Sequence, residues 1–263
     1  MMNVENLWEE LVRRNRLLAF AGLISALLFL ILAVVSLFDS TTIMGINRWI
    51  KPMKFSISIA VYLWTIAWLA GYLEDRAREI RYISLGLIIT MISEIVPIVG
   101  QAARGRLSHF NISSPFDGAV FSFMGIMIAL NTLLNIYLLV LFFRSKTGLS
   151  PALLWGIRIG LLLFIIFSAE GALMAAWLTH SVGVRDGGPG LPFVNWSTRG
   201  GDLRAAHFFG IHALQALPVA ATFFDRIGSR PVIWTALFGA GYAVIAAALF
   251  VQAMLGAPLI GLN

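Results

Sequence analysis

The sequence predicts an all-α polytopic membrane protein, a single domain of seven transmembrane helices. Three observations predict it. The chain of 263 residues is 59% hydrophobic and only 12% charged, against about 25% charged residues in soluble domains. Its mean hydropathy is +0.86. Its apolar residues gather into runs at 17–38, 55–73, 81–102, 118–143, 152–178, 205–224 and 231–255, each near the roughly 20 residues that cross a hydrocarbon core. The runs are continuous rather than alternating, which argues against a transmembrane barrel.

Taken in order, residues 1–16 are charged and place Leu7, Trp8, Leu11 and Val12 on one side of a short amphipathic helix. The run that follows outlasts the about 7–15 residues of a signal-peptide core and ends without a small-residue cleavage site, so it is read as a retained span. Residues 17–263 are then one transmembrane domain. The connections Glu74–Arg81, Arg144–Ser150 and Asp225–Arg230 are short and charged, whereas the alternate ones are long and carry Gly, Pro, Asn and His. Short basic loops favour the cytoplasm. The expected placement is a bacterial inner membrane with the N-terminus cytoplasmic and the C-terminus outside.

The net charge of +6 is spread through the connections rather than gathered on one face, which argues against a nucleic-acid partner. The expected partners are the lipid bilayer and a small-molecule ligand. Oligomeric state is not legible. With no cysteine, disulfides, thiolate metal sites, iron–sulfur clusters and cysteine nucleophiles are excluded. Walker, dinucleotide and Gly-x-Ser-x-Gly fingerprints are also missing from the sequence.

One stretch occurs twice. Asn111-Ile-Ser-Ser leads to Asp117 and, eight residues on, Gly125; Asn195-Trp-Ser-Thr leads to Asp202 and, eight residues on, Gly210. A lone carboxylate precedes each copy, Glu94 and Glu170. The third and fourth spans and the fifth and sixth are thus two similar hairpins, a parallel repeat. Asn47 before Lys51-Pro-Met-Lys54 is a fainter third copy over the first two spans, which leaves the last helix outside the repeat.

Glu94 and Glu170 are the candidate catalytic carboxylates. A charge at the bilayer centre costs at least ~2.5–3.5 kcal/mol, so such groups face the bundle interior and have a partner or a function. Arg158 lies twelve residues before Glu170, roughly 18 Å along a helix, too far to be that partner. His109, His180, His207 and His212 are the candidate metal ligands. His207 and His212 are five apart, about 140° around a helix, so one of them points inward, and His212 is the deeper. Its repeat counterpart is Met127, and a His–Met pair suits haem iron or copper. Arg48, Lys51 and Lys54, with Arg104 and Arg106 nearby, are candidates to hold an anionic group such as haem propionates. Asn111, Asp117, Asn195 and Asp202 read as loop closures over a site or as helix caps. Asn131, Asn135 and Gln215 read as site-lining groups or interhelical bonds.

These residues support three functions. The first is a buried Glu/His/Met site near the outer face that binds haem or a transition metal for redox or hydrolytic chemistry. The second is a small-solute or proton-coupled transporter using Glu94 and Glu170. The third is a sensor or assembly protein without turnover. Whether the protein is an enzyme is left open by the residues alone.

Overall fold

A computed structural model describes residues 4–261. The protein is all-helical. Among the described residues, six helices are long and apolar enough to cross a membrane, and a bent helix pair adds a seventh where the pair is counted as one span. Chain contacts divide into two compact units. The first holds Met1–Ile43, Asn47–Ser108 and Ile112–Gly148; the second holds Met44–Ile46, His109–Asn111 and Leu149–Asn263.

The first unit contains α1 (Val4–Arg14), α2 (Arg16–Phe38), α3 (Ile50–Ala70), a single 3-10 turn (Glu74–Arg76), α4 (Ala77–Ala103) and α5 (Pro115–Arg144). Within the expected N-terminal segment, α1 is helical over Val4–Arg14; residues 1–3 lie outside the described residues. Leu11 is buried while Leu7 stays exposed, and Trp8 meets Phe20 edge-on at 5.5 Å. Glu10 binds Arg13 and Arg14 at 2.7 Å. The side-chain hydrogen bonds from Arg13 and then Arg14 pull its carboxyl down to about 2. Arg14 also lies 4.3 Å over Trp68 and donates to the Trp68 carbonyl, which ties α1 to the end of α3. Asn15 caps α2 through the Leu18 N–H and donates to Ser84 at 2.8 Å.

The apolar runs alone would start the second span at residue 55, but α3 starts at Ile50. Pro52 sits in its first turn, where a missing N–H costs nothing. The preceding loop, which holds the two-residue strands β1 (Thr42–Ile43) and β2 (Ile46–Asn47), is tied by Asp39. That carboxylate accepts the Thr41 N–H, Arg48 and the Trp49 indole. The bonds from Thr41, then those from Trp49 and Arg48, hold Asp39 well below the usual carboxylate range. Trp64 packs against Gly22 and donates to the Ala19 carbonyl at 3.0 Å, so this tryptophan serves the α2–α3 contact.

The second unit contains α6 (Pro151–Trp177), β3 (Ser181–Val182), β4 (Gly201–Asp202), α7 (Leu203–Ile211), α8 (Ala213–Ile227) and α9 (Pro231–Met254). The expected single span at 205–224 is broken: α7 and α8 meet at 42°. The cause lies at His212. Its N–H reaches the Phe208 carbonyl only at 3.3 Å, while its own ring Nδ1 takes that carbonyl at 2.6 Å. A side chain inserted into the backbone ladder is a known source of kinks. α8 lies close on α6, because Gly156 and Gly160 leave no side chain between the helices. A Cβ at Gly156 would stand 2.9 Å from the Leu217 carbonyl oxygen, and one at Gly160 would stand 2.8 Å from that of Ala213.

The loop between α6 and α7 is ordered by its own bonds. β3 and β4 pair antiparallel, and the Leu203 N–H reaches the His180 carbonyl at 3.0 Å. Asp186 accepts the N–H groups of His180 and Ser181, the Thr179 hydroxyl and the His180 ring Nδ1 at 2.8 Å. Burial pushes the Asp186 carboxyl up, but the bonds from His180 and Ser181 outweigh it and hold the group well below its ordinary value. A carboxyl lowered on folding stabilises the fold above its unfolded pKa, and that stabilisation is lost as pH falls through the folded value. The loop is therefore expected to stay closed down to about pH 4 and to open only in stronger acid. Pepsin cleavage within 179–202, followed against pH, checks this. Asp186→Ala should bring cleavage at every pH tested.

Candidate functional site

The inward face of α4 carries Ser84, Thr90, Glu94 and Gln101 among Ile and Leu, all buried. Thr90 accepts the Asn131 amide at 2.9 Å; Asn131 accepts the Tyr62 hydroxyl at 3.1 Å; Asn135 donates to Tyr62 at 2.7 Å. Asn131 and Asn135 therefore join α3, α4 and α5. One helical turn nearer the α4–α5 connection, the same register sets Glu94 level with Met127. Glu94 is 4% exposed, and the Lys51 ammonium of α3 acts on it electrostatically. Met127 is half-buried, while Met124 is fully buried.

In the second unit the inward face of α6 carries Leu163, Phe167, Glu170 and Met174, all buried. Phe167 shares a core cluster with Ala206, and Met174 shares another with Leu203. Glu170 thus lies on the stretch of α6 that covers α7. Gly210 makes this approach possible, since a Cβ there would fall 1.9 Å from Phe167. His207 leans from α7 onto α6. Its Nδ1 is 2.7 Å from the Phe167 carbonyl, and its ring borders Gly171. A carbonyl only accepts, so Nδ1 carries the proton and Nε2 is the basic nitrogen. Both carboxyl oxygens of Glu170 are buried and have no hydrogen-bond partner among the described residues. An ionised carboxylate so placed is costly unless a cation or a donor meets it.

The four histidines do not gather on one point, although His180 and His212 lie within electrostatic reach of His207. His109 and His180 both contact Phe110, with ring centroids 6.2 and 4.6 Å away, and His180 is held by Asp186. His207 bonds α6. His212 lies 4.1 Å from the exposed Phe208 ring, tilted by 40°. Among the described residues, no three His, Asp or Glu side chains stand where they could hold a metal ion. That arrangement lends the expected metal centre no support.

The repeated loop letters are caps and ties. Ser114 caps α5 through the Asp117 N–H, and Asp117 accepts Gln101 at 2.8 Å and Arg104 at 2.9 Å. Asp202 is itself the cap of α7 through the Arg204 N–H, and pairs with the Arg204 guanidinium at 2.6 Å. Asn111 is buried; Asn195 takes a left-handed backbone and gives its carbonyl to Arg204. Gln215 is half-buried in the first turn of α8. Arg48 is committed to Asp39 and to the Ala103 carbonyl, whereas Lys51 and Lys54 lie half-buried on the first turns of α3.

Comparison with known proteins gives no assignment. No family model, curated protein or solved structure matches the chain. The functional reading rests on geometry.

Sequence reasoning missed two groups that border the α7–α8 break. One is the Gly156–Gly160 seam, whose four-residue spacing is a legible signal of close helix approach. The other is Tyr242 on α9, whose hydroxyl donates to the Phe209 carbonyl at 2.7 Å. Nothing in the apolar run of α9 marks it.

Proposed function

We propose that the protein is a secondary carrier, in which Glu170 couples the movement of a small solute to the uptake and release of a proton or cation. One observation carries this reading: the Glu170 carboxyl is buried with neither oxygen bonded among the described residues. It faces a broken helix, and carriers build their solute and ion sites at such breaks. A carboxylate without donors in a low dielectric has to take a proton or a cation each time its site closes. His207, with Nδ1 tied to the Phe167 carbonyl, offers Nε2 as a nearby proton acceptor. Glu94, by contrast, has a lysine within electrostatic reach, so coupling is assigned to Glu170.

The test is proteoliposomes loaded with a pH-sensitive dye and challenged with a panel of amines, amino acids, sugars and carboxylic acids. At least one solute should drive proton movement with the native protein. Glu170→Gln, which keeps the side-chain shape, should slow that movement by about 100-fold, the scale of a lost proton-transfer group. Native vesicles that match protein-free ones for every solute, or full coupling in Glu170→Gln, would falsify the reading.

A further inference from the structure

The break between α7 and α8 has a second set of contacts that the carrier reading does not use. In an unbroken helix the Phe209 carbonyl would bond the Ala213 N–H. Here it accepts the Tyr242 hydroxyl of α9 at 2.7 Å, and the two rings stack at 4.5 Å with 19° between their planes. One turn back along α9, Phe238 contacts Phe224 of α8 at 6.2 Å and also reaches Tyr242 at 6.2 Å. α9 therefore touches both arms of the bent helix, α7 through Tyr242 and α8 through Phe238. The apolar contacts can slide, because dispersion has little directionality. The hydroxyl-to-carbonyl bond cannot, because hydrogen bonds weaken steeply off axis. It fixes one rotation of α7 against α9. A buried carbonyl without a donor in a membrane interior is costly, which favours the bent state while the hydroxyl is in place.

From this geometry we infer that Tyr242 is a latch. It is a positioning residue that holds the α7–α8 hinge at its observed angle, and breaking its bond to the Phe209 carbonyl lets the arms move. The latch itself stands on the contacts just described. Its place in a transport cycle, as the contact released when the site beside Glu170 opens, rests on the carrier reading. His207 and Phe209 lie on the same arm, so swinging α7 would carry the imidazole away from α6.

Two measurements on the full-length protein in detergent micelles test this, and neither reads transport. Tyr242→Phe keeps the ring stack and removes only the hydroxyl. It should speed amide hydrogen exchange at residues 209–216 by about five- to tenfold, the fold-change of one lost hydrogen bond, and leave α6 unchanged. The chain has no native cysteine, so spin labels can be placed cleanly at the exposed positions Phe208 and Val219, one on each arm. The label-to-label distance distribution should broaden in Tyr242→Phe. Phe209→Leu, which removes the stack and keeps the carbonyl, should alter both readouts less. Unchanged exchange and an unchanged distance distribution overturn the latch. So does faster exchange spread evenly over α6, α8 and α9, which is the mark of general loosening. A local change at the hinge in a protein that moves no solute keeps the latch and removes the carrier.

Discussion

Asp202→Ala should destabilise the second unit by about 3–5 kcal/mol, the scale for removing one partner of a buried ion pair. Asp202 is 3% exposed and serves three purposes. It caps α7 through the Arg204 N–H, it pairs with the Arg204 guanidinium, and it accepts the Ser197 N–H at 2.7 Å. Alanine would leave Arg204 with the Asn195 carbonyl and no counter-charge. The cap alone is worth about 1 kcal/mol, so a loss confined to that size would assign the role to capping. Arg204→Ala is the sharper control. It keeps the cap and the Ser197 N–H bond and removes only the counter-charge, so its cost should be smaller than that of Asp202→Ala. Thermal unfolding in detergent, followed by circular dichroism, reads both. Equal midpoints for native protein and Asp202→Ala would mean that water reaches the pair.

Gly160→Leu should disrupt the α6–α8 seam. A Cβ at this position would stand 2.8 Å from the Ala213 carbonyl oxygen, a backbone atom that cannot rotate away. Forcing extra atoms into a packed contact costs typically about 1–3 kcal/mol, and a leucine between two backbones belongs at the upper end. Ala213 is the first residue of α8, so the same change should also alter the angle at the break. Gly241→Leu on α9 is the matched control, since a Cβ there meets nothing within 4 Å. A midpoint that falls for Gly160→Leu and holds for Gly241→Leu checks the seam. Equal shifts would mean that leucine at either site acts through general helix chemistry.

Much of the architecture was legible because membrane physics writes it in length and polarity. Most of the apolar runs and the cap at Asp202 follow from local rules, although α3 begins five residues before its run and the run at 205–224 is bent. The burial of Glu94 and Glu170 was legible for the same reason, since each interrupts a long apolar run. What separates the two carboxylates was not. Lys51 reaches Glu94 from another helix, while Glu170 has no such neighbour among the described residues, and neither fact is encoded near either glutamate. The break at His212 was equally hidden. The run from 205 to 224 has no proline at that point, and the bend turns on one imidazole competing for the Phe208 carbonyl. The repeat pointed to a shared role for Asp117 and Asp202. Their actual roles differ, because Ser114 caps one helix and Asp202 caps the other. The same letters close the two loops by different bonds.

The tied loop between α6 and α7 also bears on how this protein can be handled. Most of its surface is greasy helix that detergent will cover. Residues 179–202 are instead folded on themselves through Asp186, the β3–β4 pair and Asp202. Such a loop is a conformational epitope. Antibody fragments selected against it should recognise the native fold and ignore the denatured chain. They would give a small membrane protein the rigid mass that image alignment needs.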